Sequence, residues 1–217
     1  MTNSLKVFAD TFSREADAIE AAFHASAQCS VISEYKVAYI PAIEGCITAL
    51  WDAWSRFNRT VLLNSANGPI QGTSGTIYTP TQSRTENQAI RKLASDSRRQ
   101  SNRIKLSGGE PVWSGPEMLL DVCQSLELPS NHPLHAAVTS ATLSLPYNIS
   151  IANPIPEIRS VRNFCAHKGD KTYLVMGRYF RPGVLNTQIH TRQKVSGISR
   201  FSHWVDCLKV IADAGCS

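Results

Sequence analysis

Apolar side chains recur every three or four residues through most of this chain, the spacing that gathers them on one face of a helix. Leu5, Phe8, Phe12, Ala16, Ile19 and Phe23 form one such stripe, with Lys6, Asp10, Arg14, Asp17 and Glu20 between them. Asn3 or Ser4 stands where a cap is needed. Ile43, Ile47, Leu50, Trp54, Phe57 and Val61 form a second, stronger stripe. Pro41 either starts this helix or kinks a longer one from near Val31, and Asn64 to Gly68 reads as its end.

The pattern then breaks. Residues 65–82 are rich in Gly, Ser, Thr and Pro and read as a loop. Residues 84–106 read as a basic helix in which Ile90 and Leu93 are nearly the only apolar positions, which places it at the periphery. A second loop covers 107–117. Periodicity resumes with Met118, Leu119, Val122 and Leu126 behind a Pro116 start signal, and with Leu134, Val138 and Ala141 after Asn131. Pro154 and Pro156 lead into a helix closed by Gly169. Residues 171–180 read as extended, 181–197 as irregular, and Ile198, Phe201, Val205, Leu208 and Ala212 as a last helix. No internal repeat and no βαβ alternation is visible. The expected fold is all-α: an antiparallel bundle of four to five core helices, a single domain over residues 1–217, with 65–115 as an inserted loop and basic helix.

Composition agrees with a folded chain of this kind. The 217 residues are 42% hydrophobic and 18% charged, which excludes a disordered polymer and allows a proper core. A net charge of +5 and a pI near 9.0 lean towards a polyanionic partner, an argument about association and not about fold. The six cysteines include no CxxC pair and mostly sit in apolar helical patterns, so they read as free thiols in a reducing compartment. The first twenty residues scatter charges and hold no apolar core of a signal peptide, and no apolar run reaches membrane-spanning length. A soluble, cytoplasmic protein without a membrane partner is expected.

The string Glu157-Ile-Arg-Ser-Val-Arg162-Asn163-Phe-Cys-Ala-His167-Lys-Gly169 carries the candidate chemistry. It puts His167 in the last turn of a helix, where the macrodipole favours an imidazolium. Asn163 lies one turn before His167 on the same face, and Arg159 extends that stripe. Arg162 is offset from His167 on an ideal helix, so the two converge only if the helix frays or a second chain contributes. An arginine and a histidine with an amide between them suit cleavage of RNA. Histidine moves the protons of the 2′-hydroxyl and the leaving 5′-oxygen, and a planar guanidinium grips the phosphate. No metal or other cofactor is called for, and no carboxylate cluster suited to Mg²⁺ is evident. Spacing alone does not separate this reading from a surface arginine and a histidine that merely complements the helix dipole.

Arg162-Asn163-x-x-x-His167, near the end of a late helix in a small helical chain, resembles the signature of the HEPN superfamily (higher eukaryotes and prokaryotes nucleotide-binding domain). The family motif is Arg, four to six residues, then His, often with Asn, Asp or His directly after the arginine. The resemblance is specific over residues 157–169 and architectural elsewhere. It implies a bundle of four to five helices and a metal-independent endoribonuclease of the toxin or defence type. It also implies a homodimer in which two motifs share one composite active site, with an antitoxin as a further class of inhibitory partner. Some members carry a tyrosine two residues after the histidine, the target of partner nucleotidyltransferases; this chain has Gly169 there, and that control is not implied.

Arg162, His167 and Asn163 are therefore the candidate catalytic residues, with Glu44, Asp52 and Arg159 as candidate supporting groups. Glu44 and Asp52 lie beside the apolar stripe of the second helix and either face inward towards the motif or sit on a solvated face. Arg91, Lys92, Arg98, Arg99, Arg103 and Lys105, together with Arg84, concentrate positive charge in one stretch and are the candidate RNA-binding residues. The alternative is a solvated basic helix or one that meets an acidic protein. The pairs His132/His135 and His203/Cys207 have metal-compatible spacing but no complete ligand set. Trp51, Trp54 and Trp204 fall on core or dimer-interface positions, and Trp113 in a loop. Two other readings stand beside the nuclease: a non-catalytic HEPN dimerisation or binding module, and a helical nucleic-acid-binding protein that uses only the basic segment.

Overall fold

The first amphipathic stripe folds as helix α1 (Leu5–Cys29), and the second as α2 (Lys36–Asn67), which runs through Pro41 without ending there. The computed structural model describes residues 3–29, 36–99, 104–108, 110–140, 142–144, 150–179 and 197–217. The expected irregular stretch 181–197 lies outside these but for Gly197. Elements follow in the order β1 (Asn3–Ser4), α1, α2, β2 (Ile70–Gln71), β3 (Ile77–Tyr78), α3 (Glu86–Arg99), β4 (Leu106–Ser107), β5 (Glu110–Pro111), α4 (Pro116–Ser125), α5 (Pro133–Thr139), β6 (Thr142–Ser144), β7 (Ser150–Ala152), α6 (Ile155–His167), α7 (Asp170–Met176) and α8 (Arg200–Ala214). The fold is an all-α helical bundle in which the strands are two or three residues long. No helix among the described residues is long and apolar enough to cross a membrane.

The residues group into two compact units. The first comprises Met1–Phe12, Trp54–Ala141 and Val210–Ser217. Phe12, Trp54 and Phe57 meet at its centre, with ring centroids 5.2 to 5.8 Å apart. β1 pairs parallel with β2, and β2 antiparallel with β3, so Asn3 and Tyr78 both register with Ile70. Gly72 is required beside this sheet: an added Cβ would sit 2.1 Å from the Ser217 carbonyl oxygen. The basic helix is less peripheral than its composition implies, because α3 fully buries Ala89 and Leu93 and nearly buries Asp96. Asp96 accepts from Ser125 Oγ and pairs with Lys92. Buried His132 meets Ser65 Oγ at 2.9 Å, a hydrogen bond within the core and not a metal ligation.

The second unit comprises Ser13–Ala53 and Thr142–Lys209. Phe23 stacks on Phe201 with centroids 4.1 Å apart and planes 8° from parallel. Ile43, Ile47, Leu50, Ile158, Val161 and Val205 are fully buried in the same unit. Trp51 and Trp204 here, like Trp54 and Trp113 in the first unit, are core residues. One local expectation is corrected. Residues 171–176 are helical and not extended, because the Gly169/Thr172 turn starts α7 and its backbone bonds continue to Tyr173 and Gly177. β6 and β7 also pair antiparallel, an element that periodicity did not announce.

Candidate functional site

α6 starts where Asn153 Oδ1 accepts the Ile155 N–H at 3.0 Å, with Pro156 in its first turn, where a proline costs no hydrogen bond. Ile155, Ile158, Val161 and Cys165 bury one side of the helix. Glu157 ties it to α8: its carboxylate takes a two-pronged pair from Arg200 at 2.6 and 2.7 Å and a third bond from Trp204 Nε1 at 2.9 Å. Such a fork fixes orientation as well as position. The helix that carries the motif is thus held rigidly at its start.

The other side carries the candidate chemistry. Arg162 and Asn163 are half-buried, while Arg159 and His167 are exposed. Arg162 Nη1 donates to Asn163 Oδ1 across a long 3.4 Å. Its Nε is buried and has no hydrogen-bond partner among the described residues. A buried donor without an acceptor carries a desolvation cost that a phosphate oxygen would relieve. His167 is the last helical residue, so its ring stands at the negative end of the dipole. The helix stays regular up to His167, so Arg162 and His167 remain about 140° apart around its axis. Fraying does not bring them together.

Glu44, from α2, has a side chain only 17% exposed and pairs with Lys168 Nζ at 2.9 Å. Its ion pair is with neither Arg162 nor His167 but with the residue that follows the motif. Asp52 is exposed on α2. Cys165, inside the motif, is a packing residue: burial, reinforced by the Glu44 charge, pushes its thiol up to about 12. Lys168 rather than Gly169 takes the left-handed turn that ends α6, with φ 45°, whereas Gly169 has an ordinary φ of −95°. Sequence reasoning passed over Lys168 because a helix stop is read from glycine.

The basic residues divide. Arg91, Arg98 and Lys105 are exposed, whereas Lys92 is half-buried and held by Asp96. Arg103 and the side chain of Arg99 lie outside the described residues. Arg84 is withdrawn from any surface role: it is buried, pairs with Glu127 at 3.2 Å and donates to the Leu126 and Gln82 carbonyls. These residues belong to the first unit and the motif to the second. Among the described residues no group of three His, Cys, Asp or Glu side chains is arranged to hold a metal. His203 Nδ1 is buried without a partner, and Cys207 is a buried thiol. No protein-family model, no curated protein and no solved structure matches this chain.

Proposed function

We propose that this chain is a metal-independent endoribonuclease that cleaves RNA by 2′-OH transesterification, working as a toxin or defence effector. The observation that carries this reading is Arg162, a half-buried guanidinium whose Nε has no acceptor among the described residues, on the same helix as an exposed terminal histidine. The arginine has unused donors for a phosphate, and the histidine is open to solvent and substrate. In the reaction the 2′-oxygen attacks phosphorus as His167 takes its proton. Negative charge grows on the non-bridging oxygens opposite Arg162. As the bond from phosphorus to the 5′-oxygen breaks, that oxygen takes a proton from the protonated His167 of the second copy, giving a 2′,3′-cyclic phosphate and a 5′-hydroxyl. Because Arg162 and His167 point to different sides of one helix, a composite site drawn from two copies supplies both groups to one phosphate. Exposed Arg91, Arg98 and Lys105 are the candidate partners of the RNA backbone.

The test is cleavage of total RNA in EDTA by purified wild type and by His167→Ala. Metal-independent cleavage by the wild type alone supports the reading. Equal cleavage by both places the activity elsewhere. A second reading, a non-catalytic dimerisation or binding module, is favoured by α7. Its Tyr173, Leu174 and Val175 are successive exposed apolar residues just beyond the motif, with Leu174 72% exposed. Folded wild type that cuts no RNA, but whose self-association is lost in Leu174→Glu, would favour that module.

A further inference from the structure

Lys168 adopts a conformation that its own neighbour could hold without strain. Among the described residues only Glu127 and Lys168 are non-glycine residues with positive φ. In the left-handed region a Cβ crowds the following carbonyl, and glycine escapes this. Gly169 stands next in sequence, yet it takes an ordinary φ and begins α7. The chain thus puts its strained turn on a lysine beside a glycine. Strain of this kind persists when surrounding interactions over-determine it.

Those interactions are visible. The Lys168 N–H bonds the Phe164 carbonyl at 2.8 Å, closing the last turn of α6. Its Nζ reaches the largely buried Glu44 carboxylate of α2 at 2.9 Å. The Gly169 N–H then bonds Thr172 Oγ1 at 3.1 Å, which fixes the start of α7. His167 is the residue immediately before this clamp. A pair whose lysine is this exposed adds little to global stability, so its value is local and geometric. The same pair occupies Glu44, the acidic side chain that the sequence offered as a support for the motif.

We infer that Lys168 is a positioning residue: by taking the left-handed cap and pairing with Glu44, it holds His167 at a defined helix end and leaves the Arg162 guanidinium without a counter-ion among the described residues. This inference rests on the endoribonuclease reading for its functional meaning, while the clamp itself can be tested without activity. Lys168→Ala and Glu44→Gln each break the pair, Lys168→Gly removes both strain and pair, and Glu44→Lys/Lys168→Glu restores the pair with its charges exchanged. The imidazole carbon–proton signal of His167, assigned through His167→Gln, is followed by NMR in the full-length protein, beside thermal melting and RNA-cleavage kinetics.

The expected result is a sharp His167 signal in wild type, broadened in all three pair-breaking variants and sharpened again in the exchanged double variant. Melting temperatures stay close to wild type. The value of kcat falls about tenfold in the broken variants while KM stays within about twofold. A His167 signal indifferent to all four substitutions overturns the clamp, even if the wild type cleaves RNA. A signal that responds as described in a protein that cuts no RNA leaves the clamp standing and sinks the endoribonuclease reading instead.

Discussion

Arg59 and Arg84 of the first unit are treated differently from Arg162 of the second. In the first unit Arg59 gives Nε and Nη2 to Glu110 and Nη2 also to Glu86, at 2.6 to 2.9 Å, and Arg84 is buried against Glu127 and two backbone carbonyls. Together Glu110 and Glu86 stabilise the protonated Arg59 so strongly that it is locked as a cation, and Glu110 is held below the usual carboxylate range. In the second unit Arg200 is locked by Glu157 in the same way, but Arg162, on the same helix as Glu157, keeps a buried Nε unbonded. Folding uses buried donors wherever it can, because an unmet one costs about 1–3 kcal/mol. Among the described residues Asn58, His132 Nδ1 and His203 Nδ1 are also buried without a partner, but Arg162 is the guanidinium in that group, the chemistry that suits a phosphate.

The largest expected effect is on catalysis: Arg162→Ala and His167→Ala each lower RNA cleavage by about 10²–10⁴-fold, measured as kcat/KM in EDTA, with little change in melting temperature. Arg162→Lys fails to rescue, because a point charge lacks the planar fork. The mirror-image result is expected for Arg84→Ala, which unfolds more easily by about 1–3 kcal/mol in urea titration because the Leu126 and Gln82 carbonyls it satisfied are left behind. If Arg162→Ala were as destabilising as Arg84→Ala, the contrast between a structural and a reserved arginine would collapse.

A titration sharpens the same contrast for histidine. Burial pushes His132 down to about 4 from its ordinary 6.5, whereas His167 stands in solvent. In the folded state His132 therefore stays neutral while the unfolded chain takes up a proton. The contribution of His132 to stability is level above the unfolded value of 6.5, falls as pH drops below it, and levels out again below about 4. The loss approaches about 3 kcal/mol, accumulated at roughly 1.36 kcal/mol for each pH unit between those two values. Denaturant melts across this range should show a slope in wild type that is clearly shallower in His132→Gln, where His203, also held down by burial, leaves a remainder. The smallest effect is on binding. Neutralising Arg91, Arg98 and Lys105 together should flatten the salt dependence of single-stranded RNA affinity by about two in slope, near 0.7 for each phosphate that is no longer neutralised. An unchanged slope would move RNA binding off this face.

Local structure was legible wherever periodicity carried it. The stripes of α1 and α2 bury the residues that their spacing selects, Leu5, Phe12, Ala16 and Phe23 in one and Ile43, Ile47, Leu50 and Trp54 in the other. The proline start of α6 and its arginine-to-histidine span were also readable. What escaped depends on partners far away in sequence. Arg84 looks like surface charge until Glu127 and the Leu126 carbonyl are brought to it from more than forty residues away. α7 holds Tyr173, Leu174 and Val175, among them residues that favour strands, and is helical because the turn at Gly169 launches it. The left-handed cap fell on Lys168 and not on Gly169 because Glu44 of α2 receives its side chain, which spacing along α6 cannot reveal.

End-group analysis of RNA cut in EDTA decides whether Arg162 and His167 carry out the cleavage. Wild-type protein should leave 2′,3′-cyclic phosphate and 5′-hydroxyl ends, and Arg162→Ala and His167→Ala, folded to the same degree, should leave none. Ends bearing 5′-phosphate, or cyclic ends produced equally by both variants, would contradict that role.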